Sequence, residues 1–391
     1  MKARELKKGI YFVGGIDWDL RDFHGYLTQK GSTYNSYLII DEKITLIDNV
    51  KYYMADEMIS RISEIIDPCK IDIIIQNHIE MDHSGSLPFL MEKCPNAKIY
   101  ATAKGIYGLK RHYKKEWNFV PVNNGDILNI GKRNLHFVPT PMVHWPDNMV
   151  TYCPEEKILF SNDSFGQHIA SSERIDEEYP FSILMEETKK YYANIVMPYG
   201  KMVQKELAVA AQLDIEMICP SHGLIWKKYI KEAVAEYTKW SKNDTEKKAL
   251  IIYDTMWKTT EKIAYKIQEA FEESNVKTKM FNLKVNHISD VMTEVLTAKY
   301  ICVGSPTLNN NMLATVAGFL SYFKGLAPKG RIGLAFGSYG WGGQSIGLID
   351  EDLKKCGFKT LDKIRVEYIP DDDEMKQIKE NLVKQIKESQ N

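Results

Sequence analysis

His78-Ile79-Glu80-Met81-Asp82-His83 follows the mostly apolar run Ile71 to Ile75, and this junction decides how the chain is read. Four residues able to bind a metal fall within six positions. They come directly after a stretch with the composition of a buried strand, where a turn can fold them inward around an ion.

Further donors sit in the same relation to strand-like segments. His144 follows Leu135 to Pro139, Asp163 follows Lys157 to Ser161, and His222 follows Met217 to Cys219. In layered α/β folds the polar groups that do chemistry gather at one end of the strands, so residues distant in sequence meet there. His112 and His136 have no such placement and stay outside the set. The seven donors are His78, Glu80, Asp82, His83, His144, Asp163 and His222: four imidazoles, three carboxylates and no thiolate. They exceed what one ion uses. Two ions fit them, with His78, Glu80, His144 and Asp163 on one, Asp82, His83, His222 and Asp163 on the other, and Asp163 as the bridge. Each ion keeps an open position, as a reactive site requires. Mixed imidazole and carboxylate ligands favour iron or manganese over tetrahedral zinc, and iron can change oxidation state.

Composition narrows the surroundings. The 391 residues exceed one ordinary core, which predicts two domains. Lys and Arg number 51 against 52 Asp and Glu, so neither nucleic acid nor an acidic membrane is implied as a partner. Six scattered cysteines form no C-x-x-C pair or disulfide framework, which fits a reducing cytoplasm. The charged N-terminus lacks a signal-peptide core, and no apolar run reaches the roughly 20 residues of a membrane span. These features predict a soluble cytoplasmic protein.

Before Trp240 the strands are short and β-rich, with Asp41-Glu42-Lys43 read as a hairpin loop and Ser84 as a helix N-cap. The apolar-free segment Ser241 to Lys248 marks a boundary, giving domains 1-245 and 246-391. Beyond it, five strands alternate with helices, the last strand at Lys363 to Tyr368, which predicts a doubly wound parallel sheet. Its first β-α turn is Tyr253-Asp254-Thr255-Met256-Trp257-Lys258-Thr259-Thr260. Hydroxyls and free N–H groups there suit a phosphate. G-x-G-x-x-G and G-K-[ST] are both missing, which argues against a dinucleotide or a triphosphate and leaves a flavin mononucleotide. Two more loops, Gly304-Ser305-Pro306-Thr307-Leu308-Asn309-Asn310 and Gly337-Ser338-Tyr339-Gly340-Trp341-Gly342-Gly343, suit the flanks of a flat ring, with Tyr339 or Trp341 stacking on it.

His78-x-Glu80-x-Asp82-His83 with His144, Asp163 and His222, followed by a flavodoxin-like half beginning Tyr253-Asp254-Thr255-Met256-Trp257, resembles the flavodiiron proteins, or A-type flavoproteins. The resemblance runs from about Ile10 to Lys387. Related metallo-β-lactamase hydrolases carry H-x-H-x-D-H, and Glu80 stands where they have the second histidine, the family's mark of iron rather than zinc. The resemblance implies an α/β chain with a metallo-β-lactamase-like αββα domain holding two iron ions and a flavodoxin-like domain holding FMN. It implies reduction of dioxygen to water, or of nitric oxide to nitrous oxide. It also implies a head-to-tail homodimer, or a dimer of dimers, that brings each flavin beside the partner's irons. Asp163 and Glu80 would serve catalysis, and His168, His24 and Tyr192 look similar to the family's pocket residues. No rubredoxin or flavin-reductase extension follows the flavodoxin-like half, so the expected donor is a separate rubredoxin-type protein or a reduced coenzyme. A subgroup in methanogenic archaea takes hydride directly from reduced deazaflavin coenzyme. The leading expectation is an oxygen-detoxifying oxidoreductase of an anaerobe. Nitric oxide reduction, a zinc hydrolase fused to a flavodoxin domain, and a gas or redox sensor remain open.

Overall fold

Ile73–Ile75 is the centre of the first half, and the burial of its three isoleucines explains the layers around it. Ile73 and Ile75 point into a core shared with a second sheet, while Ile74 points the other way, under helices. A strand buried on both faces reads as a continuous apolar run, as this one does. The structure, a computed structural model, describes residues 2–390.

Two sheets pack face to face in this half. The seven-stranded sheet runs Arg4–Lys7, Ile10–Phe12, Tyr37–Ile39, Thr45–Ile47, Ile73–Ile75, Lys98–Thr102, Phe119–Val122. Its Tyr37–Ile39 and Thr45–Ile47 strands form the antiparallel hairpin expected across Asp41-Glu42-Lys43. The five-stranded sheet runs Ile127–Asn129, Asn134–Pro139, Met149–Cys153, Ile158–Asn162, Met217–Pro220. Between them lie Phe12, Ile39, Phe137, Phe160 and Cys219, all essentially inaccessible. The helices Ala55–Ser63, Leu87–Lys93 and Ala103–Tyr113 cover the outside of the first sheet through Met58, Ile62, Leu87, Leu90 and Leu109. This is an αββα sandwich.

The expected Ser84 N-cap is not formed. The ligand turn itself continues as a short helix, Met81–Ser84, with Glu80 at its N-cap position, and the next helix starts only at Leu87. Ser84 instead donates its hydroxyl to the Ile79 carbonyl at 2.8 Å. Starting the helix early turns Asp82 and His83 inward together; both are buried.

The second half is a parallel sheet ordered Lys277–Asn282, Glu246–Tyr253, Ala298–Gly304, Ile332–Tyr339. The expected strand at Lys363 to Tyr368 is shorter, Ile364–Glu367, and a two-residue strand, Lys359–Thr360, precedes it. Lys359–Thr360 and Ile364–Glu367 pair with opposite ends of Ile332–Tyr339, leaving the three residues between them out of register. The strand order reverses beside Glu246–Tyr253, and in such sheets ligands bind outside the strand ends at that reversal. By compactness the chain forms one unit of residues 1–192 and 201–238 and another of 193–200 and 239–391. No helix among the described residues is long and apolar enough to cross a membrane.

Phe160→Ala should destabilise the first unit by about 3–5 kcal/mol through the cavity it leaves between the sheets. Urea unfolding followed by circular dichroism should find the earliest transition lowered, with the transition of the flavodoxin-like sheet unmoved.

Candidate metal centre and flavin loops

The donors expected from the sequence converge at the strand ends of the sandwich. His78, Glu80, His144 and Asp163 offer one ligand atom each, all within 4.8 Å of one another, and Asp82, His83 and His222 form a second group on the same criterion. Asp163 divides its oxygens between them. Its Oδ2 lies 3.3 Å from His144 Nε2 and 3.7 Å from His78 Nε2, while Oδ1 lies 3.0 Å from His83 Nε2 and 3.5 Å from His222 Nε2. Glu80 Oε2 completes the first group at 3.3 Å from His144 and 3.5 Å from His78, and Asp82 Oδ2 completes the second at 3.2 Å from His222.

These atoms face a common centre instead of forming ordinary hydrogen bonds. His78 Nε2, His83 Nε2 and both oxygens of Asp82 and of Asp163 are buried without a hydrogen-bond partner. A native interior rarely leaves so many polar atoms unpaired in one place unless an ion takes them. The donor set therefore fits two ions sharing Asp163.

Outer contacts fix the ligands in place. Asp147 accepts a hydrogen bond from His78 Nδ1 at 2.9 Å, which leaves Nε2 to point inward, and it also accepts from the Ile79 N–H. His222 Nδ1 donates to the Thr33 carbonyl at 2.7 Å. Such partners set the tautomer and raise ligand basicity.

Electrostatics follow from this crowding. Burial works against protonation of His78, His83 and His144, but the facing carboxylates outweigh it. Asp147 and Glu80 raise His78 to about 10, Asp82 and Asp163 raise His83 to about 9, and Asp163 and Glu80 raise His144 to about 10. Burial opposes ionisation of Glu80 and Asp163 in turn, yet the imidazoles hold both far below the ordinary carboxylate range. His168 is the exception, since burial first and then the neighbouring His222 push it well below its usual value.

The weaker candidates separate. His24 Nε2 lies 2.9 Å from Glu80 Oε1 with most of its ring exposed. His168 is buried with Nδ1 2.7 Å from Ser32 Oγ, and its ring lies 4.8 Å from that of His222, outside both donor groups. Tyr192 packs its ring 5.0 Å from Tyr237. Its neighbour Tyr191 is the tyrosine whose ring approaches His168 and His222, at 5.2 and 5.9 Å. Sequence reasoning missed Tyr191, Asp147 and Lys51, whose Nζ lies 4.9 Å from the Tyr34 ring and 5.0 Å from the Phe23 ring. Only Asp147 left a trace, as an acidic residue three positions past His144.

In the second unit the three expected loops end the neighbouring strands Glu246–Tyr253, Ala298–Gly304 and Ile332–Tyr339. Thr255 Oγ1 is buried without a partner beside the start of the helix Thr259–Glu273, and Lys258 before it has φ +67°. Unpaired helix N–H groups next to an orphan hydroxyl suit a phosphate. Thr260 is hydrogen-bonded to Ser338 at 3.1 Å, and the Thr307 N–H donates to the Ser338 carbonyl at 3.0 Å, which ties the loops together. Ser305 accepts the Leu313 N–H at 2.9 Å; Pro306 follows it, and Leu308 and Asn309 form the loop's tip, Asn309 at φ +52°. A Cβ on Gly337 would stand 2.0 Å from the Ser305 carbonyl oxygen, so the two loops approach this closely only with glycine there. Met256, Trp257 and Trp341 are exposed at the rim, with Tyr339, Gly340 and Gly342 beside Trp341. The loops fit a flat phosphorylated ring.

Comparisons with known proteins agree with both halves. Residues 33–223 match the ODP family beta lactamase model and residues 251–381 the flavodoxin model. The chain is 42% identical to a nitric oxide reductase of Moorella thermoacetica, covering 91% of this chain and 90% of that one. It is 42% identical to the rubredoxin-oxygen oxidoreductase of Megalodesulfovibrio gigas, covering 97% and 96%, and 38% identical to a coenzyme F420H2 oxidase of Methanocaldococcus jannaschii, covering 99% and 98%. The solved rubredoxin oxygen:oxidoreductase from Desulfovibrio gigas superposes with a TM-score of 0.96 at 40% identity, covering 99% of each chain. The flavodiiron protein from Giardia intestinalis superposes with a TM-score of 0.95 at 37% identity, covering 98% of this chain and 96% of that one.

Two outcomes test the metal site. Coordinating imidazoles must be neutral, and His78, His83 and His144 hold protons at neutral pH, so metal loading near pH ~7.5 should release about three protons per chain and weaken as pH falls. Calorimetry in buffers of different ionisation enthalpy counts them, and a release near zero would contradict the ligand set. Asp147→Ala should weaken metal binding about 10–100-fold in a competition titration, through the loss of its hold on His78.

Proposed function

The chain belongs to the flavodiiron proteins, and on that premise we propose that it reduces dioxygen to water at the paired clusters, drawing electrons from a separate donor. Family membership makes it an oxidoreductase with FMN and a non-haem diiron centre as cofactors. When bound, FMN accepts electrons in pairs and passes them on singly, and the irons supply the open positions at which a diatomic gas reacts. Residues 1–245 carry the metal chemistry and 246–391 the flavin, in keeping with the family matches at 33–223 and 251–381.

The observation that carries the reading is the donor set. Four imidazoles and three carboxylates are split by Asp163 into two groups with no thiolate, and Glu80 takes the place where hydrolytic relatives use an imidazole. His78, Glu80, His144 and Asp163 hold one iron; Asp82, His83, His222 and Asp163 hold the other. The chain's own side chains prepare the site. Asp147 and the Thr33 carbonyl orient His78 and His222, Tyr191 packs its ring beside that of His222, and His24 steadies Glu80 at the exposed side. In the other unit the 255–260, 305–309 and 338–342 loops hold FMN, with the phosphate on Thr255, Thr259 and Thr260.

Nitric oxide reduction is the second reading, favoured by a relative of that name at the same 42% identity as the rubredoxin-oxygen oxidoreductase. The donor is a rubredoxin-type protein or reduced deazaflavin coenzyme, since relatives are named for each. A head-to-tail homodimer, alone or paired into a tetramer, would bring the flavin of one subunit to the irons of its partner. The six cysteines, all free thiols, suit a reducing cytoplasm.

Iron- and FMN-loaded protein, reduced anaerobically by reduced deazaflavin or rubredoxin, should consume dissolved oxygen faster than nitric oxide in one preparation. Oxygen left unconsumed would end the oxidase reading. Glu80→His should shift bound metal from iron toward zinc and slow oxygen uptake about 10-fold or more, read by metal analysis beside the oxygen electrode.

A further inference from the structure

The helix Ala103–Tyr113 carries none of the seven donors, yet both its ends are bonded to the residues that hold them. Its N-cap is Thr102, whose Oγ1 accepts the Gly105 N–H at 3.1 Å and donates to the Asp147 carbonyl at 2.9 Å. Asp147 is the residue whose carboxylate accepts from both His78 Nδ1 and the Ile79 N–H. Midway along the helix, Gly108 lies against Ile79, where a Cβ would stand 2.2 Å from Ile79 Cδ1. At the last residue, the Tyr113 hydroxyl donates to the Ser84 carbonyl at 2.8 Å and lies 2.9 Å from the Ser84 hydroxyl.

Ser84 closes the turn that presents the donors. Its N–H donates to the Glu80 carbonyl at 3.0 Å and its hydroxyl to the Ile79 carbonyl at 2.8 Å, so Asp82 and His83 lie inside a backbone loop pinned at Ser84. The helix Met81–Ser84 within that loop is four residues long. So short a helix does not hold itself, because a first turn fixes several residues for one hydrogen bond and its last carbonyls find no partner further along. The Gln76 amide and the Asn49 N–H take the His83 carbonyl, at 2.8 and 3.0 Å, and Tyr113 takes the next one. Tyr113 is itself seated, its half-buried ring 5.7 Å from that of Trp117 and both packed against the apolar layer under the helices. Phenylalanine would fill the same space, so what the hydroxyl adds is its hold on Ser84.

We propose that the helix Ala103–Tyr113 is a brace for the metal centre, in which Tyr113 positions the second donor group, Asp82, His83 and His222, and Thr102 positions the first through Asp147 and His78. The inference rests on the grouping of the donors proposed above. The two ends act on different ions because they reach the turn on opposite sides of Glu80. Thr102 works before it, through the residue that grips His78 and Ile79, and Tyr113 works after it, through Ser84. His222 keeps its own anchor on the Thr33 carbonyl, so loss of the Tyr113 bond loosens the second group without dismantling it. Neither Thr102 nor Tyr113 is a ligand; each acts through another residue.

Tyr113→Phe keeps the ring and removes the bond. In the full chain loaded with iron and FMN and titrated against a chelator, this variant should hold the second ion about 10–100-fold more weakly than the wild type, with the first unchanged. Thr102→Val should weaken the first ion by a similar factor and leave the second unchanged, and Thr102→Ser, which returns a donor hydroxyl, should restore it. Anomalous scattering at the iron edge, from crystals taken at several chelator concentrations, gives the occupancy of each position separately. Electron paramagnetic resonance should meanwhile show the coupled pair of irons giving way to an isolated one as the second ion leaves Tyr113→Phe. Equal occupancies at the two positions of Tyr113→Phe, whether both full or both lowered, would overturn the proposal, since a merely structural role loosens the two alike. Should Tyr113→Phe fail to fold, the Thr102 pair decides: a loss at the second position as large as that at the first, or no recovery in Thr102→Ser, would overturn it. A wild-type chain that filled only one position would end the grouping of the donors itself, and the proposal with it.

Discussion

Seven ionisable side chains share one buried edge of the sandwich, and the cost of keeping them there organises the first half of the molecule. An isolated buried charge loses several kcal/mol of hydration. Here each carboxylate faces imidazoles, and each anchored imidazole turns its outer nitrogen to a fixed acceptor, as His78 does to Asp147 and His222 to the Thr33 carbonyl. The inner atoms are left pointing at one another. The two sheets meet closely through Phe137, Phe160 and Ile75 just below, so the donors have a rigid floor and little freedom to relax apart. Metal geometry is thus inherited from sheet packing.

Much of this was legible in the chain because metal donors at strand ends leave a dense local signature. Six positions held four donors, and the other three followed apolar segments that proved to be strands: Asn134–Pro139, Ile158–Asn162 and Met217–Pro220. Supporting residues left little trace, because their roles depend on which way a backbone turns. Tyr191 and Tyr192 are adjacent and chemically identical. The helix Phe181–Tyr191 gives way to a wider turn at Tyr192–Val196, and that change of pitch sends one ring toward His222 and the other toward Tyr237. No pattern of apolar residues encodes it. Ser84 misled for a similar reason, since a favourable cap residue lost to the demand that Asp82 and His83 turn inward together.

The flavin loops obey a different logic. The metal donors are buried and held by their neighbours, whereas Trp257 and Trp341 stand 88% and 79% exposed on loops joined through Thr260 and Ser338. A buried polar cluster must be pre-formed, because unpaired charges cannot wait in an apolar interior. A rim of aromatic side chains has no such constraint and can adapt to a planar ring or to another protein surface. Glycine at 337 is the fixed point on that side, where the Ser305 carbonyl leaves no room for a side chain.

Residues 193–200 belong to the second unit, although residues on both sides of them in sequence belong to the first. Asn194 donates to the Ser289 carbonyl at 3.1 Å and accepts from the Tyr322 hydroxyl at 2.8 Å, both within that second unit. The polypeptide therefore passes between the units three times. A gene cut at the polar segment near residue 245 would strand this octapeptide in the wrong product, deprived of the partners that Asn194 needs. An exchange of either half at that segment would have to carry residues 193–200 along with Ser289 and Tyr322, the partners that Asn194 bonds.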